Sequence, residues 1–535
     1  GNNTTAADNV AVGSNALYIN TTGTANVSIG TSSMYANTTA SNNTAIGATA
    51  LNANTTGASN VAIGKSALAA NTTAAYNTAV GDSALLGNTT GANNTAVGTY
   101  SLDSNTTGAN LVGLGYGALH ANTTAANNTG VGYLALGANT TGAERTAVGV
   151  QSSYGSDTES DNTVSVGYRA MYMPLADSAD ATDSVAIGHE AMLASQSTSA
   201  SLINNVAVGK DALRISANTT GSVNHNAAVG TQALGGDANT TGAINYNAAV
   251  GYRSLYTDAN TTGSIQYNAA VGAEAIQASA NTTGAVQYNA AVGYEALEIA
   301  ANTTGYIQYN VAVGYRALKT ASNTSGNIQY NVAVGSNALL INTANNNTAV
   351  GYAALTGNTT GSENTAVGRL ALDANTTGTN NVAVGNSALG ANISSNYNTG
   401  IGDNSGTALT TGANNTFVGA YAGDGTDDGA ANAAVGYGAL SANCGDDNSA
   451  LGSYALSVCT GAKNTAVGQT AGFAVTSGSN NLMLGADAAR TGSPGGNQVT
   501  GSNTIFLADE NIAEAHIQVD WTVASDERDK TDFTA

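Results

Sequence analysis

The side chains able to do chemistry are few in this 535-residue chain, and most of them stand alone. The stretch GDGTDDG at 423–429 places Asp424, Asp427 and Asp428 within five residues. Carboxylates crowded into a glycine-rich loop are the ligand type Ca²⁺ takes. The twelve-residue loop with its closing Glu is absent, so a solvated acidic loop is the competing reading. Cys444 and Cys459 fall in neighbouring copies of a repeat, and stacked copies bring Cα atoms within disulfide reach. They lie four and five residues before Asn448 and Asn464, so their registers differ by one. His120, His189, His225 and His516 are scattered and suggest no metal site or triad. No glycine-rich phosphate loop joins a strand to a helix. The many N-x-T words match glycosylation acceptors, but a repeat rich in turn residues accounts for them as well. Catalysis on an external substrate is not expected, and no cofactor beyond the Ca²⁺ candidate is implied.

The frame that would carry these residues is unusual in composition. Charged residues make up 9% of the chain, against roughly 25% in globular proteins. Gly numbers 66 and Pro 2, which excludes collagen. The 42% apolar fraction is largely Ala and Val, so no compact core of large side chains is available. No run of about 18 apolar residues is present, and membrane insertion is not expected. A net charge of −21 disfavours nucleic acid as a partner. Gly1 opens without Met or a signal pattern, which reads as a processed chain or a piece of a longer one.

A fixed period dominates. The first residue of the word N-x-A-V-G recurs at a spacing of 17 from Asn9 to Arg145, with Leu111 and Arg145 in place of Asn. After one step of 18 the spacing is 21 from Thr163 to Asn331, and then 16 or 17 from Asn347 to Asn481. The change from 17 to 21 adds two residues on each side of NTTG and leaves AVGxxAL untouched. An insertion of two preserves which face a strand residue occupies, whereas it would rotate a helix by about 200°. The spacing therefore predicts an all-β fold, a parallel β-solenoid or β-roll of about 27 laps, with NTTG at the tip of a turn. Laps stacked about 4.8 Å apart would extend on the order of 130 Å.

Stacking makes columns. Val12, Ile29, Ile46, Ile63, Val80 and Val97 are expected to line the inside. Leu17, Met34, Leu51, Leu68, Leu85, Leu102 and Leu119 form a second inward column. The column through Gly81 marks a bend or a close approach, and Asn77 and its counterparts can form amide ladders. Neighbouring strand residues face opposite ways, so Ala79 beside Val80 leaves lines of small residues pointing outward, a surface for other copies of the chain. In the 21-residue zone Tyr246, Tyr267, Tyr288, Tyr309 and Tyr330 share a register with His225. They read as packing for the enlarged lap or as an aromatic strip for sugar.

The word NTAVGxxAL resembles the N-S-V-A-I-G coil of trimeric autotransporter adhesin heads, which are parallel β-rolls joined in threes. NTTGxxNTAVGxxAL is also similar to arrays in phage tail fibre proteins. The resemblance covers about 9–490. Near the C-terminus, SDERDK at 525–530 resembles the opening of the intramolecular chaperone, of the endosialidase type, that ends many phage fibres and spikes. That resemblance implies trimer assembly followed by one self-cleavage, carried by Ser525 as nucleophile with Lys530 as base. Ten residues follow Ser525, so the chaperone body would lie beyond Ala535.

The expected organisation is a solenoid of 17-residue laps over 1–162, wider laps over 163–346 and narrow laps over 347–490. A non-repeat β region at 491–524 and the chaperone start at 525–535 complete it. The expected role is the homotrimeric shaft of a bacteriophage tail fibre, located on the virion and working outside the cell. Its partners would be other virion tail proteins and a host cell-surface glycan or protein receptor. Rival expectations are a bacterial surface adhesin, an extracellular filament and an ice-binding solenoid.

Overall fold

The computed structural model describes residues 5–155, 161–173, 181–194, 201–215, 221–236, 242–257, 262–277, 283–299, 304–319, 326–490 and 499–507. It is all-β, a parallel β-solenoid, and no helix is long and apolar enough to cross a membrane among the described residues. Two compact units are distinguished, 1–379 and 380–535.

In the first unit each lap contributes one three-residue strand, from Val10–Val12 to Thr365–Val367. Successive strands pair in parallel without any slip of register: Thr78, Ala79 and Val80 stand opposite Thr95, Ala96 and Val97. Thr and Val suit a pleated, half-buried surface. The bonds run from Thr78 N–H to Asn94 O at 2.8 Å and from Gly98 N–H to Val80 O at 2.8 Å. The wider laps add a second ladder of six two-residue strands, from Val223–Asn224 to Ile328–Gln329. There Gln287 Nε2 donates to Gln266 Oε1 at 2.9 Å, and Gln308 and Gln329 repeat the bond. The inserted residues thus became strand.

The second unit runs from Val382–Val384 to Ile505–Leu507. Its last rung lies beyond the point where the sequence words stop. Leu482, Met483 and Leu484 pair with Ile505, Phe506 and Leu507, and Thr504 N–H donates to Asn481 Oδ1 at 3.0 Å. Thr504 holds the Asn place, so the word is lost while the backbone pairing continues. The expected non-repeat region at 491–524 therefore contains one more rung.

The inside of the roll corrects the expected facing. Ala79 and Leu85 are fully buried, whereas Val12 is 56% and Val97 40% exposed. The strand's central Ala points in and Val80 stands outside with Thr78. Parity explains it. Asn77 is buried at the head of the lap, and strand alternation puts Ala79, two residues on, on the same side. Leu85 then reaches across and leaves room only for a small residue on the facing wall. A Cβ at Gly113, which holds the Ala place, would lie 3.2 Å from Leu102 Cγ. Where the wall residue is large, the Leu place shrinks: Phe417 is buried between Gly406 and Gly423.

NTTG is likewise not an exposed left-handed tip. Asn88 is buried, and the positive-φ residues of the lap are Ser83 (57°), Leu85 (54°) and Asn93 (60°), with Gly81 at 139°. A left-handed Leu is costly, about 1–2 kcal/mol. It persists because Leu85 N–H then reaches Ser101 O at 2.9 Å while Ser83 N–H reaches back to Lys65 O at 2.9 Å.

Candidate functional site

Two kinds of column could meet a partner: files of buried amides that set the surface, and files of exposed side chains that form it. The buried files come first because they fix the geometry. Asn94 N–H donates to Asn77 Oδ1 at 3.0 Å, and Asn77 Nδ2 donates to Gly91 O at 3.0 Å. In the second file Asn88 Nδ2 donates to Asn71 Oδ1 at 3.1 Å and to Gly91 O at 2.9 Å, and Asn88 Oδ1 accepts from Asn105 Nδ2 at 2.8 Å. Each amide is spent on its neighbours, as burial demands. The Asn of these NTT words is therefore not presented for a glycan. Thr89 Oγ1 donates to Thr106 O at 3.0 Å, and in the narrow laps it is the second Thr of the pair, such as Thr90, that is exposed.

Where the narrow laps end, Arg145 takes the Asn place and is buried. Its guanidinium donates to Asn139 Oδ1 at 2.9 Å, Ser153 Oγ at 2.6 Å and Thr163 Oγ1 at 3.2 Å. It closes the second amide file with a bulkier donor set.

On the surface, Ile29, Ile46, Ile63, Val97, Val229, Val250, Val271 and Val292 are exposed along the strand edge of the first unit. Beside them the ring column is now explicit. His225, Tyr246, Tyr267, Tyr288, Tyr309 and Tyr330 stack with centroids 4.7–5.1 Å apart and planes within 15° of parallel. That spacing is the strand repeat, so the ladder geometry imposes the stack. The rings occupy the left-handed position before the marker Asn, with φ 57–59°, and they are exposed rather than part of a core. A shallow groove of about 670 Å³ lies between the first three rings, His225, Tyr246 and Tyr267, and the file Val206, Ala227, Ala248 and Ala269. Its floor is Asn205's successors Asn226, Asn247 and Asn268. The stacked rings cover each other's faces, so a sugar would meet ring edges along most of the ladder.

Charged groups gather at one place in the same column of laps. Glu295 is buried and receives Arg316 Nε at 2.7 Å and Lys319 Nζ at 2.5 Å. Burial pushes its carboxyl up, but the bonds from Arg316, Lys319 and Tyr294 outweigh that and bring it down to about 2. The neighbouring phenol of Tyr294 is pushed up to about 12, chiefly by its hydrogen bond to Glu295.

Asp424, Asp427 and Asp428 do not converge on a cation. Asp424 is half-buried with Oδ1 dry and unpaired, and burial raises its carboxyl, while Asp427 and Asp428 face solvent and Asp427 accepts from Thr410. The three acids differ in exposure, which the sequence cluster concealed. Instead, among the described residues, three ligand atoms meet at His189, Glu190 and Asp211, all within 4.8 Å of one another. His189 was thus not isolated: Asp211 comes to it from the next lap.

Cys444 and Cys459 are both free and buried. Cys444 Sγ lies 3.2 Å from Thr426 Oγ1, and Cys459 Sγ accepts from Asn464 Nδ2 at 3.4 Å. Burial raises both thiols, Cys459 to about 11. Ser525 and Lys530, with Trp521 and His516, lie outside the described residues. No family model matches the chain, and no curated protein matches it.

Proposed function

We propose that this chain is a structural shaft, the stiff part of a bacteriophage tail fibre, a homotrimer carried on the virion and working outside the cell. The observation that carries this reading is the file of outward-facing apolar residues, mostly Val and Ile, at the last strand position of the laps of the first unit, exposed at Ile29, Ile46, Ile63, Val97 and Val229 and half-buried at Val80, Leu114 and Val131. A monomer that keeps such a file in water forfeits its burial, and contiguous apolar patches mark interaction surfaces. Three copies closing around one axis would cover those files and leave no open assembly edge. Among the described residues most backbone hydrogen bonds run from lap to lap, which suits a mechanical task rather than a catalytic one. The ring ladder at 225–330 is the part of the surface best suited to meet a host receptor. The exposed Thr file of the narrow laps, at Thr90 and its counterparts, is one residue wide and does not favour ice binding, which calls for a flat field of hydroxyls.

Sedimentation equilibrium tests the assembly: the expected mass is three times the chain mass of 52.5 kDa. The pair Ile63→Lys and Val97→Lys should leave the far-ultraviolet spectrum unchanged and yield a monomer. A wild-type monomer would defeat the trimer. Antibody raised against the chain should label tail fibres on virions in electron micrographs. Labelling of a bacterial surface instead would turn the reading to an adhesin.

A further inference from the structure

We propose that His189, Glu190 and Asp211 form a binding site for a divalent transition-metal ion of the Zn²⁺ class, joining two consecutive laps. Glu190 and Asp211 occupy the same column one lap apart; their backbones are both left-handed, with φ 54° and 53°. Asp211 N–H donates to His189 O at 2.9 Å, which fixes the two laps against each other. One ligand atom from each of the three side chains lies within 4.8 Å of the others. Small side-chain rotations bring such a set onto a single ion with metal–ligand distances of about 2.0–2.2 Å.

The second observation is Asp211 itself. It is 6% exposed, and its Oδ1 is dry with no hydrogen-bond partner. A buried carboxylate oxygen without a partner is costly and calls for a ligand. The rest of the column shows how this position is otherwise handled. Gln151 accepts from Arg169 Nε one lap on at 2.9 Å, Gln232 from Arg253 Nε at 2.8 Å, and Glu295 from Arg316 Nε at 2.7 Å. In these three cases the acceptor is followed by an arginine; Glu274 is followed by Glu295, whose charge Arg316 and Lys319 of the next lap meet. Glu190 is followed by Asp211, and Asp211 by Gln232, which is already engaged. Two carboxylates therefore stack with no arginine between them. Arg169 is turned to Gln151, and among the described residues no ion pair joins Arg169 or the adjacent Lys210 to either acid.

The donor set selects the ion. One imidazole nitrogen with two carboxylates suits Zn²⁺, Co²⁺ or Mn²⁺, whereas Ca²⁺ and Mg²⁺ favour all-oxygen cages. The His189 ring packs on Tyr168, with centroids 5.0 Å apart and planes 29° apart, which restrains it beside the acids.

The test uses the full chain stripped with chelator and titrated with Co²⁺, read by visible absorption, and with Zn²⁺, read by calorimetry. One equivalent per chain is expected, with His189→Gln weakening affinity at least tenfold and Asp211→Asn doing the same. Hydrogen exchange at Glu190 and Asp211 should slow on adding Zn²⁺ to wild type and not to His189→Gln. Because His189 is exposed, that variant tests the site without threatening the fold. Absence of saturable binding up to about 100 µM metal, a weak limit for a specific site, would overturn the proposal. So would binding unchanged in His189→Gln, since the ion would then sit on other acids.

Discussion

Replacing Gly81 by Ala asks whether backbone conformation or crowding decides where glycine is required. Gly81 has φ 139°, and a Cβ there would stand 2.6 Å from Gly98 C and 2.7 Å from Gly98 O. That φ belongs to a region essentially reserved for glycine, at a cost of about 1–3 kcal/mol for other residues. Moving the neighbouring lap aside would also loosen the 2.8 Å bond from Gly98 N–H to Val80 O, worth about 1 kcal/mol net. Overpacking adds about 1–3 kcal/mol. The expected loss is about 4 kcal/mol, roughly a thousandfold in the local opening constant. Gly91 is the control. Its Cβ would come even closer, 2.2 Å from Gly108 O, yet its φ is not positive. The chain itself carries Ala74 in that column, where Asn60 Nδ2 still reaches Ala74 O at 2.9 Å. Gly91→Ala should therefore cost less than about 1.5 kcal/mol, in the range of a tolerated small change. A stacked array does not unfold as one two-state body, so a global melt would blur the effect. Hydrogen exchange resolved by mass spectrometry over 77–98 reads it directly. Equal effects of the two substitutions, or a Gly81→Ala change under about tenfold, would refute the conformational argument.

Other perturbations probe the core, the charge cluster and the thiols. Phe417→Ala should open a cavity and cost about 3–5 kcal/mol locally; adding Gly423→Leu should restore much of it, because Leu is the usual left-handed occupant of that column, and thermal proteolysis of the second unit would report both. Glu295, held at about 2, contributes stability that is present above its ordinary value of 4.5 and is lost as pH falls toward 2. Glu295→Gln should thus weaken protection around 290–299 at pH 7 and make no difference near pH 2; a pH-independent effect would assign Glu295 a packing role alone. With Cys459 raised to about 11 by burial, neither cysteine should react with a thiol reagent at pH 8 until the laps open, so rapid labelling of the native chain would contradict their placement.

The lap was legible because an insertion of two residues on each side of NTTG has a meaning only for strands. The facing was not, because Ala79 and Val80 are both apolar and hydrophobicity favours the larger one inside. The deciding signal was Asn77, whose parity with Ala79 sets the inner face, but a buried Asn column runs against ordinary burial preferences. The left-handed backbone of Leu85 leaves no trace in residue type. The rung at Ile505–Leu507 escaped because its lap has 23 residues and Thr504 in place of Asn. The grouping of His189, Glu190 and Asp211 was within reach: Glu190 and Asp211 differ by one lap of 21 residues, and reading the column instead of the line brings them together.

The same geometry explains why apolar side chains ended up outside. A roll whose lap is 17 residues is narrow, and two files of Asn plus one of Leu already fill it. The wall opposite Leu85 is mostly small residues, and the large Phe417 and Met483 stand where Leu gives way to Gly, at Gly406, Gly423 and Gly472. Strand formation still favours β-branched residues, and the only places left for them are the outward positions of the strand, Thr78 and Val80 in one lap and Val61 and Ile63 in the one before. The inner face is held by amide bonds between most successive laps, and they tolerate a change of lap length because the marker Asn finds its second acceptor within its own lap in both widths, Gly91 O for Asn77 and Ile265 O for Asn247. Cohesion along the stack therefore comes from hydrogen bonds, and the apolar surface left over is aimed sideways. Burial of that surface is to be sought between chains, which is what the lysine pair at Ile63 and Val97 measures.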